Sequence, residues 1–195
     1  MNARALAPIA AALAVVAAIV IALVSTRHTS PAAFIGTPIE PPKAAADALL
    51  RDGAGHPTHV LDRAAATMIF FGYTHCPDTC PLALASLGRA YRSLAPADRA
   101  RTRIVFVTVD PGRDTAPVVA RYVRNFDAHI VGLTGDARTL ASLREAYGVH
   151  VDARPREIVH SDTVFAVDAS ARMRFIYPAD TQAKDFAHDL ALLAR

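Results

Sequence analysis

Apolar and polar positions alternate in three different rhythms along the chain. Ala5–Val24 is apolar throughout, interrupted only by Pro8. Such a run matches the ~20 residues a helix needs to cross a bilayer. It exceeds the ~7–15 apolar residues of a typical cleaved signal peptide, although the small residues near Ala17 and Ala18 keep cleavage open. Residues 1–27 are therefore expected to be a membrane anchor. Residues 28–57 read as a tether and irregular extension, rich in Ala and Pro (Pro31, Pro38, Pro41, Pro42), with Phe34 and Ile39 as docking points. Residues 58–195 form the folded domain.

Inside that domain, short continuous apolar runs alternate with helical periodicity. Thr67–Gly72 (TMIFFG) and Ile104–Val109 (IVFVTV) have the composition of strands buried on both faces. Between them Leu82, Leu84, Ala85, Leu87, Tyr91 and Leu94 recur at helical spacing, and Pro81 suits a first helical turn. Thr115-Ala116-Pro117 opens a second helix with Val118, Val119, Tyr122, Val123 and Phe126 on one side. Ile130–Leu133 reads as a brief strand, and Asp136–Tyr147 as a helix stopped by Gly148. Asp162–Val167 and Met173–Tyr177 alternate around a turn at Asp168–Ala171, and Asp180 or Thr181 caps a last helix carrying Phe186, Leu190 and Leu193. The order β-α-β-α-(β)-α-β-β-α predicts an α/β domain of thioredoxin-like form, a mixed central sheet with helices on both faces.

Charge changes the picture little. The formal net charge is +3, and the arginines are scattered with only Lys43 and Lys184 beside them. No basic cluster supports nucleic-acid binding, and none is expected. The flanks of the apolar segment are nearly balanced in positive charge (Arg4 against Arg27), so orientation rests on export of the long domain. The body is read as periplasmic, on the outer side of the inner membrane, in an oxidising compartment.

The candidate chemistry sits in the only two cysteines, Cys76 and Cys80. On a helix, residues at this spacing differ by about 40° in azimuth. Their Cβ atoms lie ~5–6 Å apart, against ~3.8 Å in a disulfide. Two sulfurs so placed can also reach one metal ion at ~2.3 Å. Spacing alone leaves a redox pair and half of a metal site both open. Position argues against an inert disulfide, because a strand leads into a loop and the cysteines follow where a helix begins. A helix N-terminus favours thiolates. Among the histidines, His160 stands out, since it precedes Ser161 and the strand Asp162–Val167 and is expected in a loop at one end of the sheet.

The segments FFGYTHCPDTCP, FVTVDPGRDT, GLTGD and VHSDTVFAVD, in this order and spacing, resemble the Sco/SenC family of membrane-tethered copper proteins. The resemblance runs from about Phe34 to the last helix. It implies a thioredoxin-like fold holding one copper ion through Cys76, Cys80 and His160, with Asp110 of the VDP turn close to the metal without being an obligate ligand. It implies a metallochaperone that supports assembly of the copper centre of cytochrome c oxidase, with oxidase subunit II or another copper protein as recipient and a periplasmic thiol reductant as helper. Two thiolates and an imidazole suit Cu(I), with tolerance for Cu(II). The alternative is a thiol–disulfide oxidoreductase that reduces the cysteines of the oxidase copper site, or acts in redox sensing, with Cys76 and Cys80 as its redox pair. Ala64–Thr67, Asp168–Ala171 and Phe165 depart from the family's usual turn and strand residues.

Overall fold

The computed structural model describes residues 33–63, 65–154, 157–160 and 162–195. The expected anchor lies outside them. No helix among the described residues is long and apolar enough to cross a membrane.

The strand β4 (Ala66–Gly72) is buried at every position, as its unbroken apolar run requires. It pairs in parallel with β5 (Thr102–Thr108), which pairs in parallel with β6 (Ile130–Leu133). On its other side β4 pairs antiparallel with β9 (Thr163–Val167), followed by β10 (Arg172–Pro178) and β1 (Thr37–Ala44). The six-stranded order is β1-β10-β9-β4-β5-β6. The expected mixed sheet is thus present, with one more strand at its edge than the hydrophobic pattern announces.

Alternate residues of each central strand face two cores. Met68, Phe70, Ile104 and Phe106 face α1 (Thr79–Ser93), α3 (Ala116–Arg124) and α5 (Ala183–Leu193) through Leu84, Leu87, Val119, Val123, Phe186 and Leu190. Ile69, Phe71, Val105 and Val107 face α4 (Ala137–Ala146) through Leu140 and Leu143. A four-residue helix, α2 (Pro96–Arg99), links α1 to β5. Asp136 caps α4 by accepting the Thr139 N–H at 2.9 Å, and Gly148 follows it at φ +67°, the left-handed stop expected there.

Three local readings are corrected. Residues 37–44 and 49–51, taken as irregular, form β1 and β2 (Leu49–Arg51), the latter paired with β3 (Pro57–His59). Pro41 and Pro42 are compatible with β1 because it is an edge strand whose pairing with β10 is irregular between Pro38 and Lys43, a bulge in which proline is tolerated. His160, expected in a loop, ends β8 (Glu157–His160), which pairs with β7 (Val151–Arg154) and sets His160 opposite Val151. Gln182, rather than Asp180 or Thr181, precedes α5; the Thr181 hydroxyl instead donates to the Pro178 carbonyl at 2.7 Å.

The N-terminal docking points are where they were expected. Phe34 stacks on Phe175 with ring centroids 4.3 Å apart, and Ile39 packs on the second core. Buried Asp189 holds this segment down by accepting the N–H groups of Ile35 and Gly36 and the Tyr177 hydroxyl, the last two at 2.8 Å. At the β9–β10 turn, Ala171 adopts φ +56°, a conformation a Gly would take with less strain. Asp168 holds that turn, accepting the N–H groups of Ser170 and Arg172.

Candidate thiol site at the carboxyl ends of β4 and β5

The two central parallel strands end together, Gly72 opposite Thr108, and the Val109 N–H donates to the Gly72 carbonyl at 2.7 Å. Ligand sites of open α/β sheets lie beyond such carboxyl ends. From β4 the chain turns through Tyr73–Cys76, closed by the Cys76 N–H donating to the Tyr73 carbonyl at 3.2 Å, and enters α1 at Thr79.

The start of α1 is short of ordinary caps. Asp78 at the N-cap makes no side-chain capping bond. Pro81, inside the first turn, has no N–H to satisfy, and the Leu82 N–H reaches the Asp78 carbonyl at 3.4 Å. The Cys80 N–H points at the Cys76 sulfur, 3.4 Å away, and the Thr79 hydroxyl stands 3.5 Å from the same sulfur. Cys76 therefore does the work of a capping acceptor, a role that a thiolate performs better than a thiol.

Both cysteines are free thiols in different surroundings. Cys76 is half-buried, whereas Cys80 is wholly buried in the core beneath it. Burial alone would raise the Cys76 thiol, but hydrogen bonds from Thr79 and the Cys80 N–H outweigh it and leave Cys76 below the ordinary thiol value. Burial, reinforced by the neighbouring Cys76, pushes Cys80 far up. The outer sulfur is the reactive one and the inner sulfur is its protected partner. Iodoacetamide is accordingly expected to label Cys76 of the reduced chain well before Cys80, read by peptide mass. Equal labelling rates in the folded protein would contradict this asymmetry.

Gly72 lets the inner sulfur sit so close. A Cβ at this position would lie 2.8 Å from Cys80 Sγ and 2.7 Å from a Phe106 ring carbon. Phe106 in turn packs against Tyr122, whose buried hydroxyl has no hydrogen-bond partner among the described residues. Burial first, then the nearby Cys80 and Cys76, push that phenol upward.

Of the remaining expected site residues, Asp110 opens the turn after β5. Its N–H donates to the Thr108 hydroxyl at 3.0 Å, and its carboxylate pairs with Arg113. The side chain of His160 lies outside the described residues. Two residues on, the Asp162 carboxylate lies 3.3 Å from the hydroxyl of Thr79, the first residue of α1. Other histidines have local partners: His59 with Asp47 at 2.8 Å, His129 with Asp127 and the Tyr91 ring, and His188 with Asp189.

Sequence reasoning missed Asp114. It is buried with no exposure and accepts from Thr74 and Thr108, residues 40 and 6 positions away. A second aspartate in the DPGRD turn was the available signal, but its partner Thr74 is not readable from spacing. Leu82 also differs from expectation, since it is 54% exposed on the first turn of α1 while Ala83 takes the buried position.

The SCO1/SenC family model matches residues 53–195. The chain is 38% identical over 112 residues to the mitochondrial protein SCO2 homolog of Bos taurus, covering 57% of this chain and 41% of that protein. It is 37% identical over 134 residues to the Mus musculus protein of the same name, covering 68% of this chain and 51% of that one. The match thus spans about half the length of these relatives, or less. Among solved structures, apo Sco1 of Thermus thermophilus superposes with a TM-score of 0.71 at 32% identity, covering 83% of this chain and 95% of that one. ScoI of Bradyrhizobium japonicum with copper bound gives 0.67 at 28% identity, covering 82% and 99%. With this mixed α/β, thioredoxin-like architecture and a family match across most of its length, the chain belongs to the SCO1/SenC family.

Proposed function

We propose that this protein is a copper-binding metallochaperone that holds one copper ion through Cys76, Cys80 and His160, with Asp110 close by, and passes it to the copper centre of cytochrome c oxidase subunit II or another copper protein. The observation that carries the reading is the sulfur pair itself: one accessible and one buried thiol at a helix start, at the carboxyl ends of the central strands. Two soft sulfur donors favour Cu(I), and an added imidazole extends tolerance to Cu(II). The copper-bound state of the Bradyrhizobium japonicum relative supports the choice of metal. The contact of Thr79 with Asp162 supports His160 as third donor, because it brings the chain two residues beyond it to the first turn of α1, where Cys80 lies.

In this reading residues 1–27 anchor the protein in the inner membrane, the stretch up to Phe34 tethers it, and the domain from Phe34 onward, with β1 at its sheet edge, carries the site in the periplasm. Metal binding requires thiolates. An oxidising compartment converts such a pair to a disulfide, so a periplasmic thiol reductant is a required partner. The lowered Cys76 thiol beside a protected Cys80 also favours a second reading, a thiol–disulfide oxidoreductase acting on the oxidase copper-site cysteines or in redox sensing.

The test is titration of the reduced chain with Cu(I) against a competing chelator. One ion bound per chain is the expected result. No binding above the level of the disulfide form would overturn the copper reading and leave the oxidoreductase.

A further inference from the structure

We propose that Asp114 is a positioning residue for this site: its carboxylate, acting through Thr74, sets where the Cys76 sulfur stands over the start of α1. The inference rests on the copper-holding reading and deepens it, by assigning the part of the fold that keeps the outer sulfur in place.

Asp114 has no exposed surface, and a carboxylate so buried is strongly unfavourable unless its oxygens are satisfied. Three donors satisfy it. The Thr74 N–H reaches Oδ2 at 3.0 Å, the Thr74 hydroxyl reaches Oδ1 at 2.6 Å, and the Thr108 hydroxyl reaches Oδ2 at 2.6 Å. Two of these come from one residue, through its backbone and its side chain together. That fixes both the path and the rotamer of Thr74.

Thr74 is the second residue of the Tyr73–Cys76 turn, whose closing bond is made by the Cys76 N–H. Cys76 in turn presents its sulfur to the Cys80 N–H and the Thr79 hydroxyl. The route from carboxylate to sulfur is therefore one turn of backbone, pinned at its second residue. The far end of the carboxylate is equally fixed. Thr108 closes β5, and its hydroxyl also accepts the Asp110 N–H; the Asp114 N–H donates to the Asp110 carbonyl at 2.9 Å. Asp114 thus ties the cysteine loop to the strand end and to the turn bearing Asp110. A carboxylate that only stapled its own turn to β5 would need the Thr108 bond alone.

Asparagine replaces one of the two acceptor oxygens with an NH₂ group, so at least one of the three donors loses its acceptor. In reduced Asp114→Asn, iodoacetamide labelling of Cys76 is expected to slow about fivefold, because the loosened turn lets the sulfur leave its place facing the Cys80 N–H and the Thr79 hydroxyl. Cu(I) affinity is expected to fall at least about tenfold, the usual loss when a group supporting a metal ligand is removed. Thr74→Val should reproduce both effects, and Thr74→Ser, which restores the hydroxyl, should return both to wild-type values. A role confined to stability would lower the melting temperature and leave labelling and copper affinity of the folded protein unchanged.

Labelling and copper binding at wild-type values in folded Asp114→Asn and Thr74→Val would overturn the inference while the copper reading stood. Failure of Thr74→Ser to recover what Thr74→Val loses would overturn it as well. Slowed labelling in a series whose wild type binds no copper would uphold the positioning role and sink the copper reading instead. If Asp114→Asn does not fold, the Thr74 pair decides by the same criteria.

Discussion

Cys76→Ala and Cys80→Ala are each expected to lower the Cu(I) affinity of the reduced chain by more than about 100-fold, since even a group one step behind a ligand is worth ~10–100-fold. The two variants should differ in every other respect. Cys76 is half-buried at the loop surface, and its removal takes away a capping acceptor for the Cys80 N–H without opening the core. Cys80 is fully buried among Phe70, Leu84 and Phe106, so its loss also leaves a small void and lowers stability by about 1 kcal/mol. Affinity must therefore be measured on folded protein, by chelator competition below the thermal transition of each variant. Binding undiminished in either one would remove that sulfur from the site, and with it the proposal of a shared ion.

That much of this site could be read in advance follows from where its parts lie in the chain. Cys76 and Cys80 are held by what surrounds them locally: the buried run Ala66–Gly72, a turn, and a helix whose Pro81 marks its first turn. Buried parallel strands announce themselves by unbroken apolar runs, and β4, β5 and β6 were legible for that reason. The strands at the margins were not. β2, β3, β7 and β8 have three or four residues each, too few for a period to show. β1 carries Pro41 and Pro42, which argue against a strand until its edge position is known. The Asp114–Thr74 bonds were invisible for a different reason. They join segments 40 residues apart, and only the adjacent ends of β4 and β5 bring them together.

The backbone at His160 differs from the local reading of the sequence. A loop was expected at His160 because it precedes Ser161 and the strand that follows. The backbone instead completes a small hairpin, with Val151 facing His160 and Asp152 facing Val159. A hairpin fixes register more tightly than an open loop does. The chain beyond its end is then held against α1 through the Asp162–Thr79 bond.

His160→Ala separates the two functional readings. The substitution removes one imidazole and leaves Cys76, Cys80, Thr79 and the start of α1 in place. If His160 is the third donor, Cu(I) affinity should drop by about tenfold or more, because a soft two-sulfur pair still binds the ion but less tightly. Complementation of a deletion strain for oxidase activity should fail with it. Thiol–disulfide exchange should persist, since attack depends on the thiolate fraction of Cys76, which the Thr79 hydroxyl and the Cys80 N–H set. The measurements are chelator competition, oxidase activity in the complemented strain, and exchange with a small disulfide, all on the same variant. Lost complementation with normal exchange would support the chaperone. Full complementation despite weakened copper binding would refute it and leave the thiol pair, acting as a reductant, as the function of this fold.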